Sequence, residues 1–285
     1  MRQSSARRRL TNRLMLGVCI ACAVAVLAPL VAILFYVVTQ GARALSPDFF
    51  THLPTPSGEP GGGMANALVG SLILMALACA VGLPIGVGSG IWLAEYGRHQ
   101  RLGDAVRFVG DVLAGLPSIV AGLVAYGLLV ATLGRFSALS GGVALGLLMF
   151  PTVMRTTEAV LLLVPQDLRD GALALGARRW QAVIGVVIPA AAGGIATGVI
   201  LGIARVAGET APLLFTAFGS EFWQSGVDQP VAALPLMIFT YATSPYSDWR
   251  TQAWAAALVL VGLVLLLNLL ARFLARRYGG GIVRE

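Results

Sequence analysis

The sequence predicts an all-α, polytopic membrane protein with six transmembrane helices. Hydrophobic residues make up 57% of the 285-residue chain and charged residues only 12%, and the mean hydropathy is +0.83. A soluble protein carries about 25% charged residues, so this chain has too little polar surface to cover a water-exposed globule. Its long apolar runs also differ from the short alternating segments of a transmembrane β-barrel.

Six segments are long enough to cross a bilayer, which takes ~20 mostly apolar residues per helix. They are residues 14–39, 66–94, 106–133, 140–163, 190–217 and 253–275. The first follows five arginines, as a signal peptide would, but its apolar stretch exceeds the ~7–15 residues of a signal sequence. We therefore interpret 14–39 as a retained helix, followed by a five-helix core over residues 66–275.

The arginines predict the orientation, because cytoplasmic loops carry the excess of positive charge. All 20 basic residues are arginines, and only three of them lie on the side of residues 40–65. Fifteen lie on the other side, in the tail 1–13, around the 95–105 loop, in 164–189 and after residue 271. We expect a multi-pass cell-membrane protein with both termini cytoplasmic, including the tail 276–285. The net charge of +7 then reflects topology and not nucleic-acid binding.

Two external loops join the spans. Residues 40–65 are rich in proline and glycine, which predicts an irregular segment and not a domain. Residues 218–252 contain an apolar stretch, 231–242, that is too short to cross the membrane. That stretch is either re-entrant or lies on the surface.

Several kinds of chemistry are excluded. The chain has no lysine, so it has neither a P-loop nor a Schiff-base lysine, and any ATP must be hydrolysed by another chain. Cys19, Cys22 and Cys79 lie in apolar runs, and His52 and His99 lie in different loops, so we expect no metal site and no cofactor. No hydrolase motif is present, and we expect a protein that is not an enzyme.

A cytoplasmic segment, residues 164–189, is too long for a simple turn. Glycine permits a break and the close approach of another backbone, which predicts two short helices joined at Gly176 along the membrane surface. Leu168, Ala172, Leu175 and Trp180 would form an apolar patch for a partner protein. The alternative is a solvated loop whose arginines only set the topology.

Charged residues inside spans are costly and therefore functional or paired. Arg205 and Glu209 are four residues apart, which would place them on one face of the fifth span. They form either a structural ion pair or part of a path in which Arg205 binds an anion. Arg155 and Glu158 are predicted to form a structural pair. Asp111 is predicted to pair with Arg155 or Arg107 and to have a minor role in the path.

The 164–189 segment resembles the EAA-x3-G-x9-I-x-L-P motif of ABC importer permeases. The resemblance rests on Asp170-Gly171-Ala172, on Gly176 and on Val186-Val187-Ile188-Pro189. Asp170 and Gly171 depart from it, since the family has glutamate and alanine there. In that family this segment is the coupling helix, which sits in a cleft of the ATPase subunit. The resemblance assigns a coupling role to Asp170, Ala172, Gly176, Ala177 and Pro189.

Four further runs are similar to the PstA family, a permease subunit of phosphate-specific ABC importers. They are residues 116–123, 204–214, 234–236 with 244–245, and 265–272, and the similarity extends from Gly62 to the C-terminus. It implies a type I ABC importer permease fold (MetI-like), inorganic phosphate as substrate, and three kinds of partner. These are a homologous PstC-type permease, two PstB-type ATPase subunits and a PstS-type phosphate-binding protein. A permease for sulfate or molybdate, or a passive channel or secondary carrier, remains the alternative.

Overall fold

The computed structural model describes residues 3–56, 58–59, 61–224 and 226–279. The ends of the predicted cytoplasmic tails, residues 1–2 and 280–285, lie outside the described residues. Across the described part of the chain, regular secondary structure is helical, and the only β-type contact is an isolated bridge between Phe218 and Val231. The all-α prediction is confirmed.

Thirteen α-helices are present in the described residues. They are α1 (Gln3–Ala44), α2 (Pro47–Thr51), α3 (Ala65–Glu95), α4 (Arg101–Gly115), α5 (Ser118–Ala125), α6 (Ala131–Leu133), α7 (Ala138–Leu162), α8 (Gln166–Ala174), α9 (Arg179–Ala182), α10 (Ile188–Ala207), α11 (Ala211–Thr216), α12 (Leu234–Ala242) and α13 (Ser247–Gly279). Five helical stretches are long and apolar enough to cross a membrane: α1, α3, α7, the continuous stretch Arg179–Ala207, and α13.

The third predicted span, 106–133, is not one straight helix. Its first part is α4, and its second part runs from Ser118 to Leu133 through a π-helical turn, with a bend of 109° between them. Leu116 is extended at the bend, because the ring of Pro117 forces the residue before it out of the helical region. The two parts together have the length and composition of a sixth span, either broken or re-entrant.

The fifth predicted span, 190–217, is displaced along the chain. Its helix begins at Arg179 and ends at Ala207, and residues 208–210 separate it from α11. The helix continues past Pro189 because residues Val183–Val187 form a π-helical turn directly before it. Proline lacks the N–H of a normal helical bond, and a wider turn accommodates its ring.

The centre of the bundle is α7, which packs between α3 and α10 at very short range. Each neighbour presents a glycine at every fourth position: Gly82, Gly86 and Gly90 on α3, and Gly194, Gly198 and Gly202 on α10. A Cβ atom at Gly90 would lie 2.6 Å from Thr157 Cβ, and one at Gly202 would lie 2.8 Å from Val153 Cγ2. Small residues at this spacing let helix backbones approach closely in a membrane protein.

A second core lies beneath the predicted external loops. The apolar stretch 231–242 is helical from Leu234 onward, as α12, which buries Leu234 and Met237 against α3 and α13. In the predicted 40–65 loop, residues 40–44 continue α1 and Pro47–Thr51 form α2, while the other described residues before Ala65 are irregular. Ser46 caps the first turn of α2, and Phe49 enters this core. Tyr241 stacks on Trp249 with ring centroids 4.3 Å apart, and burial raises the pKa of Tyr241 to about 12.

The glycine contacts predict opposite results for two alanine substitutions two residues apart. Gly90→Ala places a methyl group against Thr157 and should lower the stability of the assembled protein by about 1–3 kcal/mol, the usual cost of overpacking. Gly88→Ala is the matched control, since a Cβ atom there meets nothing within 4 Å. Thermal melting of the detergent-purified complex would check this, and equal melting temperatures for the two variants would contradict the packing argument.

Candidate functional site

The segment between α7 and α10 has the predicted geometry of two short helices joined at Gly176. Helix α8 ends at Ala174, Gly176 has a φ of +85°, and α9 begins at Arg179. A positive φ strains any residue with a Cβ atom, which explains the glycine. Leu175 is 91% exposed, and Leu168 and Trp180 are exposed as well. Three of the four residues of the predicted apolar patch are therefore exposed, and the fourth, Ala172, is half-buried.

A buried ion pair anchors this segment to the end of α3. Arg169 Nη2 lies 2.7 Å from Glu95 Oε1, and the side chains of Arg169 and Glu95 are only 14% and 6% exposed. The same guanidinium donates to the carbonyl oxygens of Val164 and Leu161, at 2.6 and 2.9 Å. A buried pair is stable only when its remaining donors are satisfied, and these two bonds do that. The position of α8 is thus fixed relative to α3 and α7.

Arg179, the first residue of α9, makes a second connection to the same place. Its Nη2 donates to the backbone oxygen of Glu95, and its guanidinium lies over the ring of Tyr96, 4.9 Å from the centroid. The stacking is a cation–π contact. The sequence analysis counted Arg169 and Arg179 among the arginines that set the topology and did not identify Glu95, because their partner lies 74 and 84 positions away in the chain.

The residues assigned to coupling by the motif occupy two different settings. Asp170 is exposed and accepts a hydrogen bond from Gln166 Nε2 at 3.2 Å, and Gly176 is also exposed. Ala177 is half-buried beside Gly176. Pro189 lies inside the long helix Arg179–Ala207, so the motif starts on the exposed segment and ends within a membrane helix.

A network of charges joins α4 to α7. Arg155 forms a salt bridge with Glu158 at 3.2 Å, as predicted, and its guanidinium also binds Asp111 through two nitrogens. Glu158 is 7% exposed and accepts from Arg107 Nε at 2.7 Å. The predicted pairing of Asp111 with Arg155 is therefore correct, and Arg107 is an additional member. Arg107 also pairs with Asp104 at 3.1 Å, so two arginines bind three carboxylates and hold α4 against α7.

Arg205 lies in the last turn of α10 and is exposed on the surface of the isolated chain. Its one hydrogen bond within the described residues goes from Nη1 to Thr152 Oγ1 on α7, at 3.3 Å. Gly202, three residues before Arg205, packs against α7, so Arg205 emerges beside that contact. Most of its guanidinium donors remain available for another acceptor.

The predicted pairing of Arg205 with Glu209 on one helix face is wrong. Helix α10 ends at Ala207, and Glu209 lies in the short break before α11, where its backbone N–H bonds to the oxygen of Val206. No salt bridge joins Glu209 to an arginine within the described part of the chain. With Gly208 as its C-cap, α10 ends two residues before Glu209, so the helical (i, i+4) contact with Arg205 does not form.

Comparison with known proteins agrees with this arrangement. Residues 82–280 match the family model described as the binding-protein-dependent transport system inner membrane component. The chain is 45% identical over 271 residues to the phosphate transport system permease protein PstA of Yersinia pestis, covering 95% of this chain and 92% of that protein. It is 47% identical to PstA of Xylella fastidiosa (strain 9a5c) over 241 residues, or 84% of each chain.

Among solved structures, the fold is similar to a chain of a bacterial alginate ABC transporter in complex with its pentasaccharide-bound periplasmic protein. The TM-score is 0.66 at 15% identity, over 93% of this chain and 95% of that one. This likeness concerns the fold, which is the type I ABC importer permease fold predicted from the sequence. Taken together, the matched family model and the extent of identity establish that this chain belongs to the PstA family of ABC importer permease proteins.

Proposed function

We propose that this chain is the permease subunit of an ATP-driven importer of inorganic phosphate. The observation that carries the proposal is the 45% identity to a phosphate transport system permease over 95% of the chain. In this proposal the chain does no covalent chemistry. It supplies half of a gated path, and a homologous PstC-type permease supplies the other half.

Each end of the helix bundle is the proposed binding site of a different partner. Two PstB-type ATPase subunits bind at the end that carries α8 and α9, where Leu175 and Trp180 expose apolar surface that a partner would cover. Asp170, Ala172, Gly176 and Ala177 lie on that segment. A PstS-type binding protein delivers phosphate at the opposite end, and membrane lipids surround the long apolar helices. The arginine distribution orients the α8–α9 end and both termini toward the cytoplasm.

Arg205 is the proposed phosphate contact in the path. A guanidinium forms paired hydrogen bonds with phosphate oxygens, and Arg205 has donors to spare beyond its bond to Thr152. Glu209 has no arginine partner in the described residues. In this proposal its negative charge repels the anion and so weakens the binding by Arg205, because a transport site must release its substrate. Asp111 has a secondary role in the path through its pair with Arg155.

Two alternatives are less well supported. A sulfate or molybdate permease would share this fold, but the similar full-length relatives are phosphate permeases. A passive channel or secondary carrier would need no exposed apolar segment between α7 and α10. Dependence of uptake on ATP, and the lack of competition by sulfate, would separate these alternatives from the proposal.

Substitutions at Arg205 and Thr152 test the function and the path together. Arg205→Gln should reduce ATP-dependent phosphate uptake by proteoliposomes at least about tenfold, because one charge-assisted bond to phosphate is lost. Thr152→Val removes the hydroxyl that Arg205 contacts and keeps the side-chain volume, so it should retain most of the uptake. The amount of assembled complex should be the same for both variants.

If the Arg205–Thr152 contact is merely structural, Thr152→Val should reproduce the loss seen in Arg205→Gln. Full uptake by a well-assembled Arg205→Gln variant would remove Arg205 from the path. Uptake of phosphate that persists without ATP would contradict the importer function itself.

Coupling is tested by adding one aspartate at either of two exposed glycines with positive φ. Gly176→Asp should abolish uptake and make ATP hydrolysis insensitive to the loaded binding protein, because a charged side chain would occupy the docking face. Gly134→Asp is the matched control: Gly134 has a φ of +69°, and both positions have nothing within 4 Å of a Cβ atom. Equal activity of the two variants would remove Gly176 from the coupling surface.

The orientation is tested with single cysteines in a variant that lacks Cys19, Cys22 and Cys79. A membrane-impermeant thiol reagent added to intact cells should label Glu59→Cys, in the 40–65 loop, and leave Gln181→Cys unlabelled. Both residues are exposed in the structure, so burial does not explain a difference. Labelling of position 181 before membrane disruption would reverse the proposed topology.

A further inference from the structure

A cavity of about 540 Å³ lies where the loop after α3 faces α8 and α9. Its apolar wall is formed by Ala94, Val183 and Val187, and its polar rim includes Arg98 and Gln166. It is separate from the proposed phosphate contact, since Arg205 and Thr152 do not line it. Glu95, Arg169 and Arg179, which anchor α8 and α9 to α3, line this cavity, but none of the roles assigned above places a ligand in it.

The charges that line the cavity are unbalanced. Glu95 is the only carboxylate in the lining, and its side chain is already bound by Arg169 at 2.7 Å. Arg98 and Arg179 are therefore left without an acidic partner among the described residues, and Arg98 makes no hydrogen bond there. His99, Gln100 and Gln166 add further polar groups to the rim. The cavity thus has an excess of positive charge and of hydrogen-bond donors.

Arg179 is held in a fixed orientation before any ligand arrives. One of its nitrogens donates to the backbone oxygen of Glu95, and its face rests on the Tyr96 ring. The remaining N–H groups of a guanidinium lie in one plane and suit the oxygens of a phosphate group. An arginine that only sets membrane topology needs no such constraint.

We propose that this cavity binds a phosphate group, with Arg179 and Arg98 as its two cationic contacts. The same chemistry could come from inorganic phosphate or from the headgroup of an anionic lipid, because basic pockets at the cytoplasmic membrane surface suit both. A bound phosphate group would bridge the loop after α3 to α9. It would thus strengthen the attachment that the Glu95–Arg169 pair already makes.

The binding site itself does not depend on phosphate being the transported substrate. If the proposed function failed, Arg98 and Arg179 would still form an anion site. If the site failed, transport through Arg205 would be unaffected. The two proposals therefore give separate results in the binding experiment below.

The experiment measures equilibrium binding to the nucleotide-free transporter complex in nanodiscs. In one arm the discs contain only phosphatidylcholine, and radiolabelled inorganic phosphate is added. In the other arm the buffer is phosphate-free, and retention of phosphatidylglycerol is measured by native mass spectrometry. Saturable binding in either arm is expected to weaken about tenfold in Arg98→Gln and in Arg179→Gln, the usual effect of one charge-assisted bond.

Arg101→Gln is the matched control, because Arg101 is an exposed arginine at the start of α4, three residues after Arg98, and does not line the cavity. Its affinity should match that of the unchanged protein. Arg98→Gln is the decisive variant, since Arg98 makes no bond within the described structure and its loss leaves the fold intact. Affinities unchanged by Arg98→Gln and Arg179→Gln in both arms, or lowered equally by Arg101→Gln, would overturn the proposal.

Discussion

The structure depends on how closely α3 and α10 approach α7. In a membrane the hydrophobic effect does not press helices together, so van der Waals contact and backbone proximity must hold them. The glycines at 82, 86 and 90 and at 194, 198 and 202 supply that proximity on the two sides of α7. Four of the charged side chains discussed above are carried by these three helices: Arg155 and Glu158 on α7, Glu95 at the end of α3, and Arg205 at the end of α10.

The charges fall into two kinds according to how they are neutralised. Arg169, Arg107 and Arg155 have carboxylate partners, and Glu95 and Glu158 are almost fully buried with them. Such pairs fix the positions of α8 and α4, since breaking a buried pair leaves an uncompensated charge at a cost of about 3–5 kcal/mol. Arg205, Arg98 and Arg179 have no such partner in the described residues. They are therefore the cations best suited to bind a ligand that arrives from outside the chain.

Much of the fold was predictable from local patterns. The length of the apolar runs predicted five of the spans, and Gly176 predicted the break between α8 and α9. Both signals are local, so they can be read from neighbouring residues in the chain. The early end of α10 at Gly208 was missed, because apolar length does not register a local break. The Arg205–Glu209 pairing failed for the same reason. The Glu95–Arg169 pair and the contact of Arg205 with Thr152 join distant parts of the chain, and one sequence contains no signal for them.

The π-helical turn before Pro189 has a mechanical consequence. It lets one helix run unbroken from Arg179 to Ala207, a stretch of 29 residues that extends over ~43 Å at 1.5 Å per residue. Arg179 at one end contacts the loop after α3, and Arg205 stands at the other end. For a helix of this length that moves as one body, a tilt of about 5° at its base corresponds to a displacement of roughly 4 Å at its tip. The loop after α3 and Arg205 are therefore connected through one continuous helical backbone, and a rotation at the Arg179 end would be transmitted along it to Arg205.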